Sequence, residues 1–385
     1  MKVLWISPTI GKRFGGPSST VTNGLIAENR GGMDSDLVTT IGPGEEIKDG
    51  DPARRLLDAG VDVRFFKRVG PAYRGEAWGL SPSLAFWLAR NIRKYDVVHL
   101  QYVWCITSIL GAMFGRVAGV PVVVTPHESL TDFDIKVASR HPLLRMMKRV
   151  LRHFYLALSD QFILMSKLEE DDTRSGDVPV RIISHAVLEH RVAEEVPRSD
   201  PGSGLKIAFL GRNIEKKGIH HIIQAVARKP DGSRKLKIAG PPGTSAFRSE
   251  MDRLILDLGV GEWVEWVGYV EDRATYLRAA DVLAMPSVYE GFGMVSAEAM
   301  CVGVPVVVPA KSGVAEIVSE CEAGIVMDES SAENLDRAFS ELEESPSVRR
   351  NLGLHGLWAA NSRLTFDVFA RNTQRVYEEL LHKSA

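Results

Sequence analysis

The sequence predicts an α/β chain of two doubly wound, mainly parallel sheets, and three observations carry that expectation. Short apolar runs alternate with longer amphipathic segments along the chain. The runs are rich in Val, Ile and Leu without strict alternation, which is how strands covered on both faces read. The rhythm breaks once, at RSDPGSG (198–204), and then restarts. Two consecutive doubly wound units imply two Rossmann-like domains facing one another across a cleft. The expected division is residues 1–197, a linker at 198–204, residues 205–362, and a closing segment, 363–385.

In the first half, Lys2–Ser7, Leu37–Ile41, Val61–Phe66, Val97–Gln101, Val122–Pro126, Gln161–Ser166 and Arg181–Ser184 read as strands. Ser81–Lys94 and Leu143–Leu158 read as crossover helices. In the second half the strand runs are Lys206–Leu210, Leu236–Ala239, Val264–Val267, Val282–Met285, Val304–Val308 and Ile325–Met327. Phe366–Leu381 reads as a helix. Ligands of such sheets sit beyond the carboxyl ends of the strands, so the loops there are the candidate sites.

Composition narrows the class. A net charge of −2 provides no global basic field for nucleic acid. Cys105, Cys301 and Cys321 are odd in number and far apart, which argues for a reducing compartment and against a disulfide framework or a Cys-based zinc site. MKVLWISPT enters a strand without a long apolar stretch, so no signal peptide is expected. No apolar run approaches the roughly 18 residues of a membrane span. The expected location is cytoplasmic, possible membrane contact being at its inner face.

The most informative stretch is VLAMPSVYEGFGMVSAEAMC, Val282 to Cys301. A strand, a loop from Val288 to Phe292 and a helix from about Gly293 put backbone N–H groups at a helix N-terminus, where phosphate is held without a cation. Glu290 and Glu298 bracket the turn. Carboxylates beside a phosphate site are unfavourable unless they bind something else, such as sugar hydroxyls. The second half opens with IAFLGRNIEKKGIHHIIQAV, in which Gly211–Arg212 and Lys217–Gly218 lie between a strand and a helix. Two cations there can neutralise a diphosphate. A lone pair of cations would favour a solvated loop, but the second phosphate-compatible element at Glu290–Glu298 shifts the balance. Gly15 and Gly16, after the first strand, allow close backbone approach to a phosphate or form a surface loop. Pro241–Pro242–Gly243 reads as a turn or as a pocket border.

Glu290 and Glu298 with GFG between them, then GVPVVVPAKSGVAEIV, the Gly211–Arg212/Lys217–Gly218 loop and VPVVVTPHESL together resemble retaining glycosyltransferases of family 4, which have the two-Rossmann "B" fold. The resemblance covers nearly the whole chain and is strongest from Leu205 to Asp328. It implies a nucleotide-diphosphate sugar as donor and a saccharide or lipid-linked acceptor. It makes His127, Glu290, Arg212 and Lys217 the catalytic candidates. Arg212 and Lys217 hold the diphosphate, Glu298 accepts from ribose hydroxyls, and Glu290 sits by the transferred sugar. Amides of Phe292, Gly293, Met294 and Val295 hold sugar hydroxyls and phosphate oxygens. The loops at Gly240 and Val270 border the base, Gly15 and Gly16 roof the diphosphate, and His127 orients the donor sugar. The resemblance also packs the C-terminal helix back on the first domain. His99 reads better as a core residue, and Glu316 as structural. The chain departs from the family at Ser184–His185–Ala186, where many members have Asn-Gly, and at Ser312–Gly313, where many have paired glycines.

The expected activity is hexosyl transfer with retention, in polysaccharide, glycolipid or glycoconjugate synthesis. No well-placed nucleophile pair is apparent, so attack on the same face, assisted by the leaving phosphate, is the working mechanism. No metal or other cofactor is expected, because Arg, Lys and the helix N-terminus take the cation's place. Asp132–Asp134 and Asp171–Asp172 lie in polar segments. Alternatives are an epimerase of the donor on the same fold, or a nucleotide-sugar-binding subunit without catalysis. The lack of G-x-S-x-G and G-x4-G-K-[ST] sets aside serine hydrolases and P-loop proteins.

Arg140 to Arg152, RHPLLRMMKRVLR, is basic and amphipathic. It can rest on an anionic membrane. Alternatively it is a crossover helix with Leu144, Met147 and Leu151 on the sheet and its cations in water.

Overall fold

The computed structural model describes residues 1–11, 16–42, 51–69, 80–139, 141–192, 196 and 204–384. Gly15, Arg140 and most of the linker-like stretch lie outside the described residues. Two compact units emerge, Met1–Glu189 with Thr365–Ala385, and His190–Leu364.

The first unit contains β1 (Lys2–Ser7), β2 (Asp34–Ile41), β3 (Val63–Lys67), β4 (Val97–Gln101), β5 (Val122–Thr125), β6 (Gln161–Leu164) and β7 (Val180–Ile182). They form one sheet in the order β3-β2-β1-β4-β5-β6-β7. Every pairing is parallel, with Trp5 opposite both Leu37 and His99. Helices Ile106–Ala118 and Pro142–Leu158 are among those that connect the strands. Leu4, Ile6, Val98, Leu100, Val122 and Val124 are fully buried, which explains the unbroken apolar runs.

Helix Phe366–Ser384 belongs to this unit and is tied in by polar groups. The Tyr377 hydroxyl donates to Glu28 Oε1 at 2.7 Å and lies 2.7 Å from His99 Nδ1. Glu28 Oε2 accepts from Trp5 Nε1 at 2.9 Å and from Ser35 Oγ at 2.6 Å. His99, 1% exposed, also lies 2.8 Å from Thr125 Oγ1, which makes it a satisfied core residue.

The second unit contains β8 (Leu205–Leu210), β9 (Arg234–Ala239), β10 (Val264–Gly268), β11 (Val282–Ala284), β12 (Val306–Pro309) and β13 (Gly324–Met327). They pair in parallel in the order β10-β9-β8-β11-β12-β13. At the start of β9, Arg234 is fully buried and donates to Asp336, Glu343, Ser340 and the Ala225 carbonyl.

The division falls at residue 190, earlier than the 198–204 boundary expected from the Gly/Pro/Ser-rich stretch. The cause is pairing after Glu189. The Val192 N–H donates to Asn361 Oδ1 and the Val192 carbonyl accepts from Asn361 Nδ2, both at 3.0 Å, which fastens the segment to helix Pro346–Arg363.

Helix Pro142–Leu158 also departs from one expectation. Its cations Lys148 and Arg152 are only 12% exposed, while Leu143, Met146 and Val150 are 61%, 58% and 64% exposed. The preceding Asp132 and Asp134 draw the cations inward. Leu144 remains exposed as well, contrary to a stripe laid on the sheet.

Candidate functional site

In the second unit, loops after successive strands are stitched by backbone contacts. Gly211 N–H donates to the Ala239 carbonyl at 3.0 Å, and Gly240 N–H to the Gly268 carbonyl at 2.7 Å. Gly240 has φ +127°, and a Cβ there would lie 1.9 Å from the Gly211 oxygen. Only glycine fits. The Asn213 N–H reaches the Pro241 carbonyl, so Pro241–Gly243 is packed against the Arg212 loop rather than being a free turn.

A short turn, Glu215–Lys217, precedes Gly218 and helix Ile219–Ala227. Gly218 has φ +69°, and a Cβ would fall 2.2 Å from the Pro286 oxygen. The Val288 N–H donates to the Lys216 carbonyl at 2.9 Å. The lysine loop and the glutamate loop are thereby held together, although they lie far apart in sequence.

This contact brings Lys217 Nζ onto Glu290 Oε2 in an ion pair. Burial works to raise the Glu290 carboxyl, but Lys217 outweighs it, and Glu290 lies below the usual carboxylate range. Glu290 is pinned by its own backbone: its N–H donates to the Lys311 carbonyl and its carbonyl accepts from Gly313 N–H at 2.7 Å. Neither Ser312 nor Gly313 has a positive φ, so a glycine pair is not needed there. Arg212, by contrast, is exposed, and among the described residues its guanidinium has no hydrogen bond or ion pair.

Gly293, at φ +103°, precedes helix Met294–Met300. The first-turn amides, including those of Met294 and Val295, have no carbonyl behind them within the helix. Phe292 is buried beside them. One turn on, Glu298 receives Arg273 NH1 at 2.8 Å to Oε1 and 3.2 Å to Oε2. Burial raises the Glu298 carboxyl, Arg273 pulling only partly against it. Arg273 opens helix Arg273–Arg278, which is capped by Asp272 and anchored by the Tyr276 hydroxyl on the Phe209 and Lys237 carbonyls. Val270, in the loop before that helix, is half-buried.

A second cluster lies in the first unit at the carboxyl ends of β4 and β5. His127 Nε2 lies 2.8 Å from Gln101 Oε1. An amide oxygen only accepts, so Nε2 carries the proton and Nδ1 of the neutral ring accepts. The imidazole stacks on Tyr102 at 4.3 Å and on His185 at 5.7 Å. Burial, with His185 and His99 adding to it, holds His127 well below the ordinary histidine value. Tyr102, His127 and Glu128 have φ of 67°, 50° and 66°, a left-handed backbone that side chains rarely adopt. Glu169, fully buried, holds it by accepting from Glu128 N–H at 2.7 Å and from Met165 N–H at 2.8 Å. Gln101 Nε2 and Tyr102 OH are buried without a hydrogen-bond partner among the described residues. Gly16 opens helix Gly16–Arg30 with open space where a Cβ would stand.

In the second unit the structure thus joins Lys217 to Glu290, places Arg212 on a strand-end loop, and puts the Met294 amide end and Glu298 on helix Met294–Met300. It reveals Arg273, Gln101 and Tyr102, none singled out by sequence, and it brings His185, noted only as a departure from the family pattern, onto His127. The signal for His185 was its departure from Asn-Gly; Arg273 had none. Among the described residues no group of three or more His, Cys, Asp and Glu could hold a metal ion. Asp132 and Asp134 are engaged by Arg152 and Lys148.

Comparison with known proteins agrees with the fold of the two units. Residues 195–356 match the family model "Glycosyl transferases group 1", and residues 15–184 match "Glycosyl transferase 4-like domain". The chain is 31% identical over 179 residues to the lipopolysaccharide core biosynthesis glycosyltransferase LpsE of Rhizobium meliloti, covering 46% of this chain and about half, 51%, of that relative. It is 27% identical over 323 residues to the MMP alpha-(1->4)-mannosyltransferase of Mycolicibacterium hassiacum, covering 77% of this chain and 74% of the relative. Among solved structures, the sucrose-phosphate synthase of Thermosynechococcus elongatus superposes with a TM-score of 0.77 at 22% identity, over 100% of both chains. HepE of Anabaena in complex with UDP superposes at 0.75 and 18% identity, over 98% of this chain and 100% of that one.

Proposed function

We propose, from the premise that the chain is a glycosyltransferase built of a 4-like domain and a group 1 domain, that it moves a hexose from a nucleotide-diphosphate sugar to an acceptor hydroxyl with retention of configuration. The observation that carries this reading is the loop pair of the second unit. Arg212 offers an unpartnered guanidinium, and Lys217 is brought by the Gly218–Pro286 contact to the edge of the Glu290 loop. A diphosphate beside Lys217 competes with Glu290 for the ammonium, and the freed carboxylate accepts from sugar hydroxyls.

Arg212, Lys217 and the amides of Met294 and Val295 stabilise charge as the diphosphate departs. Metal is not required, because those groups supply the positive potential. Glu298, oriented by Arg273, accepts from the ribose. In the first unit, His127 Nδ1 accepts from a hydroxyl of the transferred sugar, and Gln101 Nε2 and Tyr102 OH are further partners for hydroxyls. Acceptor recognition falls to this unit. A leaving phosphate oxygen takes the acceptor proton on the face that it vacates. Synthesis of a polysaccharide or glycoconjugate is the setting that suits such transfer.

Two complexes of one structural neighbour support the donor class: HepE has been solved with UDP and with UDP-glucose. The test is a thermal-shift panel of UDP, GDP, ADP and their sugars, followed by turnover of the donor that stabilises the chain. Arg212→Ala is expected to lower kcat about 100-fold or more with an unchanged melting temperature. Normal turnover in that variant would sink the assignment, and a donor sugar altered without acceptor would replace transfer by epimerisation.

A further inference from the structure

Helix Pro142–Leu158 is built inside out for a crossover helix in water. Its inward face is cationic and paired. Lys148 Nζ meets Asp134 Oδ2 at 2.5 Å, Arg152 NH1 meets Asp132 Oδ1 at 3.2 Å, and Arg145 Nε donates to the Ser139 carbonyl at 2.6 Å. Its outward face carries Leu143, Met146 and Val150, at i, i+3 and i+7, each more than half exposed. Val137, in the turn just before, is 64% exposed as well.

Such a stripe in water forgoes the gain of burying three large side chains. The charges beside it indicate what covers it. The helix contains no Asp or Glu. Its inward cations are neutralised by Asp132 and Asp134, but Arg149 is exposed, and among the described residues its guanidinium has no partner. His141 and His153 are exposed on the same helix. The chain as a whole has a net charge of −2, so the positive character is local to this face. A second copy docking here would oppose like charges. An anionic bilayer offers both complements at once, acyl carbon for the stripe and headgroup phosphate for Arg149.

We propose that helix Pro142–Leu158 is a membrane-docking face, which lies in the headgroup region of an anionic bilayer with Leu143, Met146 and Val150 inserted and Arg149 on lipid phosphates. No helix among the described residues is long and apolar enough to cross a membrane, and the proposed docking is interfacial. None of these side chains is among the residues assigned to the donor, and the inference holds whether or not the donor reading does.

The experiment is flotation of the full chain with vesicles of phosphatidylcholine alone or mixed equally with phosphatidylglycerol, at low salt and at high salt. The variants are Met146→Glu/Val150→Glu, whose new side chains point to solvent, and Arg149→Glu. Melting temperature and thermal shift with UDP check each fold. The wild-type chain is expected to float with the anionic vesicles only, and less in high salt. Arg149→Glu is expected to weaken partition about fivefold or more, and the double variant to remain unbound. The proposal is overturned if the wild-type chain ignores anionic vesicles, if the double variant floats as well as wild type, or if the stripe instead holds a dimer that the double variant splits.

Discussion

Arg273 holds the carboxylate of Glu298 with a single guanidinium nitrogen, at 2.8 Å and 3.2 Å from its two oxygens. The arginine orients an acid whose side chain is 21% exposed. Glu298→Gln is expected to weaken UDP binding about tenfold to 100-fold, the range for hydrogen bonds to a charged group, while leaving pyrophosphate binding unchanged. Arg273→Ala leaves burial unopposed, so the carboxyl protonates at higher pH. UDP affinity in that variant should then fall more steeply than in wild type as pH is lowered. Calorimetric titration of both ligands checks both outcomes.

The Lys217–Glu290 pair makes a different demand. Lys217→Ala removes the proposed diphosphate ligand and also strands a largely buried acid, whose side chain is 22% exposed. A drop in kcat of about 100-fold or more is expected, with a stability loss of roughly 1–3 kcal/mol. Adding Glu290→Gln should restore much of the stability and none of the turnover. Urea melts and initial rates of the double-mutant cycle separate the two effects.

Gly240 tests the loop architecture directly. A methyl group there would overlap the Gly211 carbonyl, on a backbone with φ +127°. Gly240→Ala is expected to cost about 3 kcal/mol or more in urea unfolding. Gly16→Ala, facing open space, should change stability by less than about 1 kcal/mol.

His127 should be neutral throughout the physiological range, because its pKa lies well below the usual value. The pH–rate profile of the wild-type enzyme is therefore expected to show no histidine inflection near about 6.5 from this residue. Gln101→Leu removes the acceptor that fixes the proton on Nε2. It should lower kcat about tenfold, the worth of one well-placed hydrogen bond, and Gln101→Glu should recover part of it. Nitrogen-15 spectra of the His127 ring report the tautomer itself.

Glu28 provides a stability test. Burial raises its carboxyl from 4.5 to about 7, its hydrogen bonds pulling only partly the other way. The folded state therefore holds a proton that the unfolded chain has released between those values. Stability associated with Glu28 is greatest below about pH 4.5 and falls, by roughly 3 kcal/mol, as pH rises to about 7. Glu169, raised to about 7 by burial, adds a slope of the same sign. Glu28→Gln should flatten the decline seen in denaturant melts between pH 5 and pH 8.

The strands were legible because burial on both faces writes continuous Val, Ile and Leu runs, as in Val97–Leu100 and Val304–Val308. Arg212, Lys217, Glu290 and Glu298 were legible as residues because each follows a strand. Their pairing was not, since it depends on Gly218 meeting Pro286. Gln101 read only as the end of a strand and Tyr102 as the residue after it, and the register of Gln101 with Thr125 of β5 brings them to His127. Helix Pro142–Leu158 was visible as an amphipathic segment. Which side faced outward was not, because Asp132 and Asp134, not the periodicity, decide it.

Tyr377, near the end of the chain, donates to Glu28, near its beginning. The ribosome must therefore make all of His190–Leu364 before the first unit can acquire its closing helix. The second unit is contiguous and can mature as soon as it emerges. Until then the nascent first unit carries Glu28 and His99 without their shared hydroxyl, and a chain stalled before residue 365 leaves that half unfinished.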